Sequence, residues 1–329
     1  MKEPTTSALA TNAPTLTAPA GELIRRRYSC RTYRAEPIGG AQQRLLAASM
    51  TAHAVGPLGA QARFALLAAA PGDNSALRRL GTYGFIKGAT GFIVGAVRRA
   101  PHDLEDYGYL LEQVILSATD LGLGTCWLGG TFTRSSFVRR FGGLARDEMM
   151  PAVASIGLSG DDGSERIRER EEGSRRLPSS ELFFARRFGE PLDLGTVGAY
   201  AVALEAVRMA PSATNKQPWR LVRDGAGDGD EGGAWHFYLR RSKGYGKGSA
   251  LFTVLRLADL QRVDMGIAMC HFELVAREHG LAGGWVVRDP GLPLPGKDTE
   301  YTVTWVADAR TAQVSLPGRS HAGWRKKGR

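Results

Sequence analysis

Apolar positions concentrate in two long stretches, Asp106–Trp127 and Asp264–Trp285, each apolar on most faces of a helix. A helix of that kind is buried rather than laid on a surface. In each, a glycine (Gly122 or Gly280) stands where a C-terminal cap is expected. Upstream, a helical stretch leads into a strand in both places: Ala41–Ala52 before Arg63–Ala68, and Val197–Met209 before Trp219–Val222. Downstream come runs of strand composition, Pro151–Gly157 and Tyr301–Val306. The acidic, glycine-rich stretch 225–233 reads as a solvated hairpin loop before a strand at Trp235–Leu239.

The two apolar stretches form an internal repeat. At an offset of 264 − 106 = 158, seven positions coincide: Asp106/Asp264, Gly108/Gly266, Leu116/Leu274, Ala118/Ala276, Gly122/Gly280, Leu123/Leu281 and Trp127/Trp285. Two such helices find a burial partner most economically in each other, at the centre of a molecule with pseudo-twofold symmetry. The expected fold class is α+β, an α/β sandwich of two related halves. The expected divisions are a disordered leader (1–21), an N-terminal half (22–185), a C-terminal half (186–310) and a basic tail (311–329). The charged run Asp161–Arg176 is the expected connection.

Composition narrows the class. The chain has 329 residues, of which 43% are hydrophobic and 23% charged, as in a soluble globular protein. No apolar run reaches the roughly 18 to 20 residues of a membrane span. The leader is rich in Thr, Ala and Pro and lacks the basic start and apolar core of a signal peptide. Cys30, Cys126 and Cys270 form no CxxC pair, which suits a reducing cytoplasm. The six histidines show no ligand spacing, so no metal is expected. The net charge of +10 raises the question of nucleic acid, yet it is dispersed and no nucleic-acid-binding signature accompanies it. No nucleic-acid partner is expected; a positive field would equally attract phosphorylated cofactors.

Three segments carry candidate chemistry. In Arg25–Tyr33, Arg27, Ser29 and Arg31 alternate, so that one side of an extended chain could present two guanidiniums and a hydroxyl to an anion. By itself the run reads more readily as a solvated basic face. Ala210–Trp219 is stiffened by two prolines, and Asn215 and Gln217 offer amides beside small residues that admit a flat ligand. Alone, it also reads as a capped turn before a strand. In Leu121–Phe132, Gly122 and Gly124 end a helix, while Gly129 and Gly130 free backbone N–H groups for a ligand. Neither GxGxxG nor a Walker A motif is present.

Together these segments resemble the nitroreductase family, flavin enzymes that bind FMN at a homodimer interface. Arg27–Tyr33 is similar to its RxSxRxF/Y motif and Pro211–Trp219 to its PSxxNxQPW motif. Leu121–Gly130 is similar to its central helix end and flavin-contacting turn, and Ser174–Pro178 to its late basic segment. The resemblance covers roughly residues 22 to 308. It implies that Arg27, Ser29, Arg176 and Arg175 hold the FMN phosphate and ribityl chain, and that Arg31 lies near N1/O2. It places backbone N–H groups of Gly130 and Gly129 at N5/O4, and Pro211, Ser212, Ala213, Asn215 and Gln217 along the flavin from the other half. Many relatives carry a carboxylate where Gly129 stands. Trp219, Trp127 and Trp285 are expected in the core, and Lys87 in solvent near the cleft.

In the ordinary family PSxxNxQPW follows RxSxR closely. Here it comes after the Leu121–Gly124 helix end, in the second half, and the equivalent first-half stretch, His53–Gln61, lacks it. The second half has no RxSxR. Each half therefore keeps a different part of the site, as in a single-chain, tandem branch with one FMN per monomeric pseudo-dimer. The implied activity is hydride transfer from NAD(P)H through flavin N5 to a nitroaromatic, quinone or similar acceptor, without a side-chain catalyst. The alternatives are a non-catalytic FMN-binding or redox-sensing protein, or specialised chemistry such as dehalogenation.

Overall fold

The computed structural model describes residues 16–73, 75–77, 80–160, 176–224, 233–243 and 258–308. The elements in the first part of the chain are α1 (Ala20–Arg26), α2 (Gly40–Ala52), β1 (Ala62–Ala68), β2 (Gly91–Arg98), α3 (Asp103–Asp120), β3 (Gly124–Leu128), α4 (Arg134–Arg140), β4 (Glu148–Met149) and β5 (Val153–Gly157). They continue with α5 (Ser179–Leu182), β6 (Phe183–Ala185), α6 (Tyr200–Met209), β7 (Trp219–Asp224), β8 (Ala234–Arg240), α7 (Leu260–Glu278), β9 (Gly283–Val286) and β10 (Thr299–Ala307). The fold is α+β. α3 packs on β2 and β3, α7 packs on β7 and β8, and the two helices pack on each other.

The first sheet has the order β1-β2-β5-β3, all antiparallel, with β4 on β2; the second has the order β6-β7-β8-β10-β9. Without β4 and β6 the two orders are the same: the first two strands of each half are adjacent, and the fourth lies between the second and the third. β6 belongs to the far sheet. It follows the last strand of the first sheet in sequence, yet pairs in parallel with β7, Phe183 opposite Leu221.

The helices end as their glycines require. Gly122 and Gly280 have φ of 76° and 75°. Leu123 N–H donates to Ala118 O and Gly122 N–H to Thr119 O; Leu281 N–H donates to Ala276 O and Gly280 N–H to Arg277 O. These are two Schellman caps at the repeat offset, each sealed by a buried leucine.

α3 and α7 meet without side chains between them. A Cβ on Gly108 would overlap the Val263 carbonyl oxygen, and one on Gly266 would overlap the Glu105 carbonyl oxygen. Gly266 and Val263 are Gly108 and Glu105 displaced by 158, so the contact is reciprocal, as at a twofold axis. Only glycine permits this approach.

Most anticipated helices and strands lie where the pattern places them; strand β2 was not anticipated, and two further differences stand out. The stretch after the first central helix, read as a turn, contains the edge strand β3, and the matching stretch after the second contains the edge strand β9; their glycines hide a strand pattern. Residues 17–21, expected in the leader, are held: Thr17 N–H and Oγ1 both donate to the Asp120 carboxylate, and Gly21 N–H donates to Glu278. The segment 161–175, most of the loop 225–233 and the tail lie outside the described residues. Trp219 is fully buried, as expected, while Trp127 and Trp285 sit at the core margin. Among the described residues no helix is long and apolar enough to cross a membrane.

Gly108→Ala and Gly266→Ala should each destabilise the protein by about 1–3 kcal/mol or more through overpacking at the crossing. Gly284→Ala, where a Cβ meets nothing within 4 Å, should stay within about 0.5 kcal/mol of the parent. Thermal denaturation of the three variants is the measurement.

Candidate functional site

Beyond α1 the chain runs extended and is clipped into the first half by its backbone. Ser29 bridges Thr125 of β3 in parallel, and Cys30 N–H donates to Thr125 O at 2.9 Å. Lys87 N–H donates to Arg31 O at 2.8 Å and Tyr33 N–H to Lys87 O at 2.9 Å, leaving the Lys87 side chain exposed. Alternation puts Cys30 in the core and turns Ser29 and Arg31 onto a cavity of about 490 Å³. That volume falls in the roughly 300–1,000 Å³ range of small-ligand sites.

Both halves wall this cavity. β3 and the turn after it contribute Cys126 through Thr131, including Gly129 and Gly130; the loop before β7 contributes Pro211, Ser212, Ala213 and Thr214. Leu260, Val263, Asp264 and Ile267 come from the first turns of α7, and Phe85 and Ile86 from the loop clipped to Arg31. Most of this wall is apolar. A Cβ on Gly130 would meet nothing within 4 Å, whereas one on Gly129 would overlap the Leu260 side chain.

The 211–217 loop holds an uncommon backbone. Thr214, Asn215 and Gln217 have φ of 50°, 55° and 47°, which is a steric cost, greatest at the β-branched Thr214. Such strain persists where the surroundings over-determine it. Here Ala213 N–H donates to both Asp264 oxygens, at 3.0 and 3.2 Å, and Gln217 N–H donates to Ser212 Oγ at 2.9 Å. Leu177 N–H donates to Gln217 Oε1 at 2.8 Å, and Gln217 Nε2 donates to Asn215 O. Arg176 donates to the carbonyls of Ala210 and Met209 at the end of α6, where a cation also suits the helix dipole.

Of the residues singled out in the sequence, Ser29, Arg31, Gly129, Gly130, Pro211, Ser212 and Ala213 meet on the cavity. Arg27, Asn215, Gln217 and Arg176 stand behind it, and Arg175 lies outside the described residues. Arg27 ends α1 rather than joining the alternation. Its side chain is 5% exposed, with Nε 3.8 Å from Glu112 Oε1 and no hydrogen-bond partner on that atom. It borders a smaller concavity of about 100 Å³ with Arg26, Gly122, Gly124 and Ser159. Glu112, itself fully buried, accepts from Trp127 Nε1 at 2.7 Å and bonds His271 Nε2 at 3.0 Å.

Sequence reasoning placed Lys87 near the cleft but did not find the lining side chains Phe85 and Ile86 of its loop, the α7 wall or Asp264. The apolar residues of α7 gave no signal, because the helix is apolar nearly all round. Asp264 did give one, as the repeat partner of Asp106. Asp106 holds the first-half loop in the same way, accepting from Leu58 N–H at 2.9 Å and Ala60 N–H at 2.7 Å. Burial pushes its carboxyl up to about 6, against the opposing pull of those two amides. Among the described residues no group of three or more His, Cys, Asp or Glu is placed to hold a metal ion.

Comparison with known proteins adds to this geometry. The family described as "Putative TM nitroreductase" matches residues 20–276. A "putative nitroreductase" from Thermotoga maritima superimposes with a TM-score of 0.52 at 18% identity, covering 88% of this chain and 94% of that one. A "putative nitroreductase in complex with FMN" from Desulfovibrio desulfuricans gives a TM-score of 0.36 at 21% identity, covering 44% of this chain and 88% of that one. An "FMN and NADPH-dependent nitroreductase" from a Sphingopyxis strain gives 0.34 at 15%, covering 45% and 91%. No curated protein matches the sequence.

With the folded Asp106 carboxyl at about 6 and the unfolded one at 3.8, the folded chain binds more protons between those values. Its contribution to stability is full below about pH 4 and is lost as pH rises through about 6. Asp106→Asn removes this dependence and one loop hydrogen bond, at a cost of about 1–3 kcal/mol. The wild-type advantage over the variant should therefore shrink from pH 4 to 6 and level off above, as read by urea unfolding at a series of pH values.

Proposed function

The chain belongs to the nitroreductase family, a family of oxidoreductases, and from that premise we propose that it binds one FMN and reduces an electron-poor acceptor with hydride from NAD(P)H. The observation that carries this reading is the cavity itself, with Ser29 and Arg31 from one half meeting Pro211, Ser212 and Ala213 from the other. Three features fit a flat, anionic flavin. The cavity has the volume of a small-ligand site, the open space at Gly130 would let a ring reach the backbone N–H, and the buried Nε of Arg27 has no hydrogen-bond partner.

Arg31 would face N1/O2, where a cation raises the flavin potential by favouring the anionic reduced form. Gly130 and Gly129 would meet N5/O4. Pro211, Ser212 and Ala213 would lie against the ring, with Asn215 and Gln217 holding the loop that presents them. We assign the phosphate to Arg27 and Ser29, with Arg175 and Arg176 supplying further positive charge, because Arg176 already serves two carbonyls. Bound FMN supplies the hydride chemistry; the chain supplies orientation and an apolar wall that sheds water.

The repeat favours one flavin rather than two. At the offset of 158, Gly130, Val263 and Ile267 of the cavity become Arg288, Glu105 and Tyr109, which replaces an open apolar wall with charge and bulk. On this reading the two halves form a monomeric pseudo-dimer with a single competent site.

Purified protein should carry about one FMN per chain by absorption. Anaerobic NADPH should bleach that flavin faster than it bleaches free FMN; slower bleaching would identify a binding or sensing protein instead. Arg31→Ala removes a charge-assisted contact and should weaken FMN binding by on the order of 10- to 100-fold in a fluorescence titration.

A further inference from the structure

Asp264 is the sole acidic side chain among the described residues of the cavity wall. Its repeat partner Asp106 gives each oxygen its own amide, from Leu58 and Ala60. Asp264 instead shares the single N–H of Ala213 between both oxygens. Bonding capacity is therefore left over on the Asp264 carboxyl, on a residue that is 3% exposed and lines the cavity. Loop holding accounts for Asp106 completely; it accounts for only part of Asp264.

We propose that the Asp264 carboxyl is the proton donor to the acceptor reduced in this cavity, an inference that rests on the oxidoreductase reading above. Reduction of a quinone to a hydroquinone consumes one hydride, which bound FMN would supply once reduced by NAD(P)H, and one proton. As the hydride's electron pair moves into the acceptor, negative charge develops on an oxygen. The Asp264 O–H bond breaks, the acceptor O–H bond forms, and the carboxylate takes a new proton from solvent through the cavity mouth after product leaves. The acid must carry its proton at neutral pH. Burial holds Asp264 far above the usual carboxylate range, outweighing the Ala213 N–H that favours its anion, with a smaller push from Asp259.

The surrounding charges leave this state intact. Asp259, before the first turn of α7, is paired with Arg241, and Arg262 is occupied by Glu105 and Asp103 of α3. Arg31 faces the cavity from the 27–33 segment, and Lys216 of the loop is exposed. An acceptor oxygen near Asp264 would thus meet a neutral donor in an apolar wall, where a hydrogen bond gains strength.

The test uses the FMN-loaded protein and Asp264→Asn, whose amide oxygen can still accept from Ala213. Asp106→Asn, which alters the matching contact away from the cavity, is the control. In anaerobic stopped flow, with the flavin first bleached completely by NADPH, reoxidation by benzoquinone should fall on the order of 100-fold in Asp264→Asn and stay within about twofold of wild type in Asp106→Asn. A second measurement needs no turnover: the dissociation constant of 4-cyanophenol from the oxidised protein across pH. In wild type the phenolate should lose affinity as Asp264 ionises, and in Asp264→Asn that loss should vanish. If Asp264→Asn fails to fold, wild-type phenolate affinity that ignores ionisation of the cavity overturns the proposal. Unaltered reoxidation and phenol binding in Asp264→Asn, with normal bleaching, overturns the role of Asp264 alone. Absence of bleaching in wild type overturns the oxidoreductase reading and this proposal with it.

Discussion

Backbone contact between α3 and α7 at Gly108 and Gly266 is the constraint on which the site depends. The crossing carries the first turns of α7, with Leu260, Val263, Asp264 and Ile267, to the strand that holds Ser29 and Arg31. Hydrophobic burial alone would fix this poorly, because helices apolar on most faces can be buried in several rotations. Two buried glutamates remove that freedom. Glu112 of α3 takes His271 of α7 and the indole of Trp127; Glu273 of α7 takes Tyr109 of α3, the indole of Trp285 and Arg277. Such pairs add little net stability, yet a shift that unpaired them would leave charge uncompensated in the interior. The glycines set how closely the helices approach, and the glutamates set their register.

The Asp106 and Asp264 side chains extend this frame to the loops. Each stands two residues before a crossing glycine and reaches back to the amides of the loop that follows its half's upstream helix. The helix crossing thereby positions the 211–217 loop, and the loop's strained residues are held by the helix instead of by their own preferences.

How much of this is legible in sequence differs by feature. The central helices, their caps and the crossing glycines are visible because a repeat preserves them at one offset. The two halves of the cavity are visible because their motifs carry unusual residues, such as Arg31 and Pro211. The α7 wall is not, since a helix without polar contrast cannot show which apolar face meets a cavity and which meets a neighbour. The directions of Arg27 and Arg176 are not legible either. Arg27 turns inward because α1 ends at it and Glu112 lies buried nearby, and Arg176 turns to Met209 and Ala210 because α6 ends there. Both depend on partners far away in sequence. β3 and β9 were hidden by glycines that lower strand propensity, while their pairing with β5 and β10 supplies what propensity lacks.

The asymmetry between the halves has a physical reason. In a homodimer every substitution acts twice, so a charged residue that strengthened the interface at one cavity would damage the other. One chain holding both halves is free of that coupling. The positions at the offset of 158 from Val263 and Ile267 are Glu105 and Tyr109. Neither stands idle: Glu105 bonds Arg262 at 2.6 and 2.8 Å, and the Tyr109 hydroxyl bonds Glu273 at 2.7 Å. Both contacts run from α3 to α7. The residues that stand at the repeat offset from two cavity-wall positions bind the two helices together, and so strengthen the crossing that shapes the cavity.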